Sequence, residues 1–319
     1  MIISKTPFRM SFIGGGTDLP AFYEKQQGAV ISTTIDKYVY ITVNPRFDDT
    51  IRVSYSKTEI LNKLDDMHHA IFRETMRETG TLKGVEITSI ADIPVGTGMG
   101  SSGSFTVGLF NALHAYHGRY QSARELAEAA CKLEITILRE PIGKQDQYAA
   151  AYGGLRRYLF NTDGSVFVDP VILSDMKKRE FFGHIMLFYI GGERKASELL
   201  SASVPPDARM RALVDDFWKM LITGDVRGLG EILHEGWEIK KRTGAISSPA
   251  IEECYEAARL AGASGGKVLG AGGAGFLMLY VEPNLQREVR KALWKTSVDP
   301  KWIPFNFEQE GSKIVYVTN

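Results

Sequence analysis

The sequence predicts a mixed α+β chain folded as two lobes. Three observations carry this expectation. The chain has 319 residues, about twice the ~150 of a common domain. Strand and helix signals alternate through its first half. After residue 180 come one strand, four helical patterns and two closing strands. The expected division is residues 1–180 and 181–319. Charge and hydropathy exclude several partners. The 38 Lys plus Arg balance 38 Asp plus Glu, and the longest basic run is Lys177, Lys178, Arg179, so no nucleic acid is expected. Apolar runs such as residues 276–281 fall far short of the ~20 a membrane helix needs, so no membrane partner is expected. Glycines at 14, 15 and 16 interrupt the N-terminus before a signal-peptide core forms. Cys131 and Cys254 lie in helical patterns and suggest neither a disulfide framework nor a thiolate metal site. A cytoplasmic protein acting on a small molecule is expected, and a homo-oligomer is compatible with this.

The elements follow in order. Residues 2–13, 29–44 and 50–55 read as strands. Residues 57–79 read as a helix, with Leu61, Leu64, His68 and Ile71 at three- and four-residue spacing. A short strand at 84–90 leads through glycine-rich sequence into an apolar helix at 100–116. An amphipathic helix at 123–139 carries Leu126, Ala130, Leu133 and Ile137 on one stripe. Strands are expected at 155–160 and 166–168, then at 184–190. Helices are expected at 207–223, 226–243, 248–261 and 284–296, with strands at 276–281 and 313–317.

Three glycine clusters stand out, at 14–16, 94–104 and 265–275. In the second, Gly96, Gly98, Met99, Gly100, Ser101, Ser102, Gly103 and Ser104 lie between a strand and a helix. Glycines there let the backbone approach a ligand, and free amides at a helix start favour an anion. Ser101 and Ser102 sit where phosphate oxygens or a magnesium ion would be. A Walker A loop is excluded, because no Gly-Lys is followed by Ser or Thr. A protein-kinase loop is excluded too, for want of His-Arg-Asp or Asp-Phe-Gly. Gly270, Gly272 and Gly275 spell GxGxxG, but with a helix expected before it and a strand after it, the dinucleotide-binding context is missing.

Acidic residues in apolar or cramped settings are candidates for chemistry. Glu134 has Ala130, Cys131, Ile137 and Leu138 three and four positions away, so its carboxylate lies beside the buried stripe. A magnesium ion would offset the cost of burying it. Asp146 lies near the start of a short helix whose next turn is Ala149, Ala150 and Ala151, which leaves room for a ligand. His114 and His117 have no third partner in sight, and zinc is not implied.

Taken together, Pro7-Phe8-Arg9 through Asp18, Pro94 through Ser104, and Lys267 through Phe276 resemble, in order and spacing, the three motifs of the GHMP small-molecule kinases. The resemblance spans nearly the whole chain. It implies a lobe like the second domain of ribosomal protein S5 followed by a ferredoxin-like lobe, with ATP and Mg2+ as cofactors. It also implies catalytic Asp146 beside Arg9, and metal ligands Ser102 and Glu134, with Glu140 as the alternative carboxylate. ATP phosphates would lie on residues 96–104. Gly14, Gly15, Gly16, Thr17, Asp18, Lys144, Gly272 and Gly273 would face the substrate. Gly-Gly-Gly-Thr-Asp is similar to the version in D-glycero-D-manno-heptose 7-phosphate kinases, which phosphorylate the anomeric hydroxyl. Gly15 and Gly16 would then enlarge the pocket, unless a turn with positive φ requires them. The substrate's own phosphate would need cations, for which Lys144, Arg156, Arg157, Arg194 and Lys195 are candidates. Rival expectations are a kinase of an unphosphorylated fucose- or galactose-type sugar, and a regulator that binds without turnover.

Overall fold

The computed structural model describes residues 1–94, 96–192, 208–244, 246–270 and 275–318. Its spine is the antiparallel pair β1 (Ile2–Ile13) and β2 (Gly28–Pro45), in register with Arg9 opposite Thr34. A bulge falls between Pro7 and Phe8, where proline offers no N–H to the ladder. Just beyond it, the Arg9 amide donates to the Met99 carbonyl at 3.1 Å and ties β1 to the second glycine cluster. The short helix α1 (Pro20–Tyr23) separates the two strands. Next come β3 (Ile51–Ser54), β4 (Thr58–Leu61), α2 (Ala70–Thr79) and β5 (Val85–Ala91). They are followed by α3 (Ser101–Tyr116), α4 (Ala123–Cys131), α5 (Gln145–Tyr152), β6 (Arg156–Phe160), β7 (Val166–Pro170) and α6 (Asp175–Gly183).

The second half runs β8 (Ile185–Gly191), α7 (Ala208–Thr223), α8 (Leu229–Lys241), α9 (Pro249–Leu260), β9 (Ala263–Val268), β10 (Gly275–Val281) and α10 (Gln286–Leu293). It ends with β11 (Lys301–Trp302), β12 (Phe307–Glu308) and β13 (Lys313–Val317). Among the described residues two sheets form. Nine strands make the first, along β13-β1-β2-β5-β3-β4 with β12 and β6 also on β2 and β7 on β6, and four make the second, β11-β8-β10-β9. Phe12 of β1 joins the two halves, its ring 5.2 Å from Phe181 of α6 and 6.0 Å from Phe217 of α7. Each such buried side chain contributes about 1.5–3 kcal/mol.

Several elements differ from expectation. Residues 57–79 are not one helix: β4 forms a hairpin with β3, and only 70–79 is α-helical. Backbone pairing along β3 overrides a weak helical period. The helix expected over 123–139 is α-helical only to Cys131 and continues as a π-helical stretch, Lys132–Ile137. Helix α6 went unseen, although Ser174 caps it by accepting from the Lys177 amide at 3.3 Å. Strand β9 was hidden by its glycines, and a strand, not a helix, therefore precedes the GxGxxG that begins at Gly270. β9 and β10 pair antiparallel across that cluster, which still excludes the dinucleotide-binding context. The strand at 313–317, expected with the second lobe, pairs instead with β1, Ile2 opposite Val317, and so covers the edge of β1 that β2 leaves open.

Candidate active site

Arg9 is 3% exposed, and its guanidinium is shared between two acceptors. Nε donates to Asp146 Oδ1 at 2.8 Å, and Nη1 donates to the Gly98 carbonyl at 2.6 Å. The first motif, the second cluster and the start of α5 thereby meet at one side chain. Gly98 could not carry a side chain here. Its φ is 85°, and a Cβ would lie 2.4 Å from the Leu269 carbonyl oxygen at the end of β9.

The second cluster ends in an uncapped helix. Gly100 takes the left-handed N-cap conformation, and no side chain bonds to the first amides of α3. The Ser104 amide is the first to find a helical acceptor, the Gly100 carbonyl at 3.0 Å, so the amides of Ser101, Ser102 and Gly103 face outward as donors for an anion. Not every residue expected on the phosphates is placed for it. The Ser104 hydroxyl donates to the Pro7 carbonyl at 2.8 Å and the Met99 side chain is in the core, so both anchor α3 to β1. Ser101 and Ser102 keep their hydroxyls at the mouth of the loop, where Ser101 Oγ also accepts from the Gly96 amide at 3.4 Å.

Glu134 is fully buried in the π-helical stretch. There the Leu138 amide reaches back five residues to the Leu133 carbonyl at 2.9 Å, and a wider turn of this kind re-aims a side chain. One carboxylate oxygen accepts from the Ser102 hydroxyl, and the other accepts from Gln147 Nε2 at 2.6 Å. Burial pushes its pKa up to about 7, against the hydrogen bonds that lower it. Glu140, the alternative carboxylate, is exposed, and its amide donates to the Glu134 carbonyl.

The first motif divides by role. Thr17 is buried and its hydroxyl donates to the Gly14 and Ala29 carbonyls at 2.7 and 2.8 Å, so Gly14 and Thr17 form a turn rather than a ligand surface. Gly16 has a φ of 97°, a demand of that turn, whereas Gly15 would meet only Gln145 Nε2 at 3.7 Å and Ser11 Oγ at 4.0 Å. Asp18 is buried, and its two oxygens accept from the Gly16 amide at 2.9 Å and the Gln145 amide at 3.2 Å. Gly143 has to be glycine for this to hold, since a Cβ there would stand 1.9 Å from Asp18 Oδ2. Burial, then the nearby Asp146 charge, pushes the Asp18 pKa up. Ser11 Oγ and Gln145 Oε1 are buried beside Gly15 without a hydrogen-bond partner among the described residues.

Three expected substrate-phosphate cations are engaged elsewhere. Lys144 Nζ donates to the Gly164 carbonyl at 2.5 Å over the Tyr23 ring. Arg156 donates to the Gly153 carbonyl at 2.6 Å, and Arg157 pairs with Asp169 while covering Trp218. Arg194, Lys195, Gly272 and Gly273 lie outside the described residues. Sequence reasoning passed over two lysines near the third cluster, Lys240, whose Nζ donates to the Gly270 carbonyl, and Lys267, buried on β9. The signal was there: Lys240 follows Leu233, Gly236 and Trp237 on the buried stripe of α8, and Lys267 alternates with buried Gly265 and Leu269.

An uncapped helix start, a hydroxyl-linked buried carboxylate and an Arg-Asp pair converge here, and comparison with known proteins decides what they belong to. The model "GHMP kinases N terminal domain" matches residues 66–154, and "GHMP kinases C terminal" matches residues 217–296. The chain belongs to the GHMP kinases. Like them it is a phosphotransferase acting on a hydroxyl group, and the family's phosphoryl donor is ATP. The kinase is 29% identical to the D-glycero-alpha-D-manno-heptose 7-phosphate kinase of Campylobacter jejuni, over 98% of each chain. It is 22% identical to the L-fucokinase/L-fucose-1-P guanylyltransferase of Bacteroides fragilis, over 94% of the kinase and 37% of that longer protein. Among solved structures, a D-glycero-D-manno-heptose 1-phosphate kinase from Bacteroides thetaiotaomicron superposes with a TM-score of 0.82 at 26% identity, covering 100% of both chains. Among the described residues no helix is long and apolar enough to cross a membrane.

Proposed function

We propose that this kinase transfers the γ-phosphate of ATP to the anomeric C1 hydroxyl of D-glycero-D-manno-heptose 7-phosphate, giving the 1,7-bisphosphate. The observation that carries the catalytic part is the Arg9–Asp146 pair, held against the Gly98 carbonyl at the foot of the phosphate loop. The full-length likeness to the Campylobacter jejuni enzyme supports the acceptor. Phosphoryl transfer needs positioning and charge neutralisation more than covalent chemistry. Asp146 orients the attacking hydroxyl and takes its proton, Arg9 offsets charge on the transferring group, and the α3 amides with Ser101 hold the nucleotide phosphates. Asp18, with Gly15 and Gly16, receives sugar hydroxyls.

The donor set of Glu134 and Ser102 fits Mg2+: it is all oxygen, a carboxylate and a hydroxyl already in contact. Gln147 Oε1, buried beside them without a partner among the described residues, marks a place where polar contacts are incomplete. When bound, the ion would neutralise phosphate charge.

Two measurements test this reading. In an ATP-consumption panel of heptose 7-phosphate, heptose, mannose, fucose and galactose, heptose 7-phosphate should give the highest kcat/KM, with NMR placing the new phosphate on C1. Equal or better rates on unphosphorylated sugars overturn the acceptor. The second concerns Glu134. Its folded pKa of about 7 exceeds the ordinary 4.5, so the metal-free protein holds this proton more tightly than the unfolded chain does. That stability is fully present below about pH 4.5 and is lost as pH rises through about 7. Glu134→Gln, whose uncharged amide can pair with Gln147 once that amide turns over, should remove the loss, worth up to about 3 kcal/mol. Melting curves at pH 5.5 and 8 read it out. Adding Mg2+ to saturating nucleotide should raise stability at pH 8 more in the wild type than in the variant, which keeps only the stabilisation due to nucleotide. An equal rise in both proteins removes Glu134 from the metal site.

A further inference from the structure

We infer that Ser11 and Gln145 together bind one hydroxyl of the acceptor sugar, in the space that Gly15 leaves open, and so help to decide which sugar is phosphorylated. This rests on the proposed sugar acceptor and adds two specificity-determining residues to its seat.

Ser11 lies on β1 two residues after Arg9, with no bulge between them, so the two side chains leave the same face of the strand. Arg9 meets Asp146 from that face. Ser11 is 2% exposed, and its hydroxyl has no hydrogen-bond partner among the described residues. Ser32, directly opposite on β2, does not supply one, since its own hydroxyl is buried and unpaired too. Gln145 approaches from the start of α5. Its backbone amide donates to Asp18 Oδ2 at 3.2 Å, and the next residue is Asp146. Its side-chain Oε1 is likewise buried without a partner among the described residues. Buried polar atoms are nearly always paired, and a binding site leaves one unpaired where the ligand completes the bond.

Gly15 shows where these two side chains meet. A Cβ there would have only Gln145 Nε2, at 3.7 Å, and Ser11 Oγ, at 4.0 Å, within 4 Å. Gly14 and Gly16 have positive φ, but Gly15 does not, so the backbone makes no demand for glycine at this position. What glycine provides at 15 is room in front of Ser11 and Gln145. A sugar hydroxyl suits that room because it both donates and accepts: it can donate to Gln145 Oε1 while accepting from the Ser11 hydroxyl, which pairs both atoms at once. A sugar without that hydroxyl leaves them unpaired, and a site built this way rejects it.

The test pairs variants with acceptors that each lack one hydroxyl. Among monodeoxy forms of heptose 7-phosphate, one should lower the wild-type kcat/KM by about tenfold or more. Ser11→Ala and Gln145→Met should each lower kcat/KM for the complete acceptor by about tenfold, with the KM for ATP changed by less than about twofold. Loss of that same hydroxyl should then cost either variant much less than it costs wild type, since the bond is already gone. Melting of the ligand-free proteins gives a readout of opposite sign. Ser11→Ala removes an unpaired buried hydroxyl, so its melting temperature should stay the same or rise, whereas a hydroxyl serving the fold through a buried water would make the variant less stable. If every deoxy acceptor is penalised as strongly in both variants as in wild type, or if Ser11→Ala melts lower with its acceptor KM unchanged, the inference is overturned and the acceptor stands. Wild-type preference for an unphosphorylated sugar overturns the proposed acceptor instead, and the same deoxy series made on that sugar then decides whether Ser11 and Gln145 bind one of its hydroxyls.

Discussion

Replacing Asp146 by asparagine should lower kcat by about 10²- to 10⁴-fold, the usual worth of a positioned acid or base, while leaving nucleotide binding within a few-fold of wild type. The two halves of this expectation come from different parts of the structure. Asparagine has the same shape, and its carbonyl oxygen can still accept from Arg9 Nε, so the pair at 2.8 Å and the link through Arg9 to Gly98 survive. The phosphate loop depends on the α3 amides and on the packing of Gly98 against Leu269, neither of which involves the Asp146 charge. What disappears, on the proposed mechanism, is the acceptor for the hydroxyl's proton. Single-turnover rates with nucleotide affinity measured separately decide the matter. Turnover within about tenfold of wild type would show that Asp146 is not an essential base.

How much of this site could be read from the chain depends on where each residue's environment comes from. The glycine clusters were legible because their constraint is local, as in the uncapped start of α3. Glu134 was legible because its stripe is periodic, although the π-helical turn that aims it at Ser102 left no such pattern. The Arg9–Asp146 contact bridges 137 positions and came into view through family resemblance rather than periodicity. Lys240 and Lys267 were missed for a physical reason. Lysine is exposed by default, and only the packing of α8 on β9 encloses these two. That packing needs glycine at 265, where a Cβ would stand 1.8 Å from the Gly230 carbonyl oxygen. The same glycines concealed β9 as a strand. Thr17 and Ser104 erred in the opposite direction: their hydroxyls suit a ligand, but the fold uses them to fasten the motif turns to Ala29 and Pro7.

Arg9→Met provides the sharper test of whether Arg9 and Asp146 act as one unit. Methionine fills much of the volume of this 3% exposed side chain, but it leaves the Gly98 carbonyl without its donor. Leaving this part-buried carbonyl unmet should cost up to about 1 kcal/mol of stability, seen as a lower melting temperature. The catalytic effect should be larger: if Arg9 is the cation proposed to offset charge on the transferring phosphoryl group, its loss should cost about 10²- to 10³-fold in kcat. Groups that act together are not additive when removed together. The double variant Arg9→Met with Asp146→Asn should therefore lie within about tenfold of the worse single variant. A double variant whose loss equals the product of the two single losses would separate the residues. Arg9 would then serve the phosphates and Asp146 the sugar, each without the other.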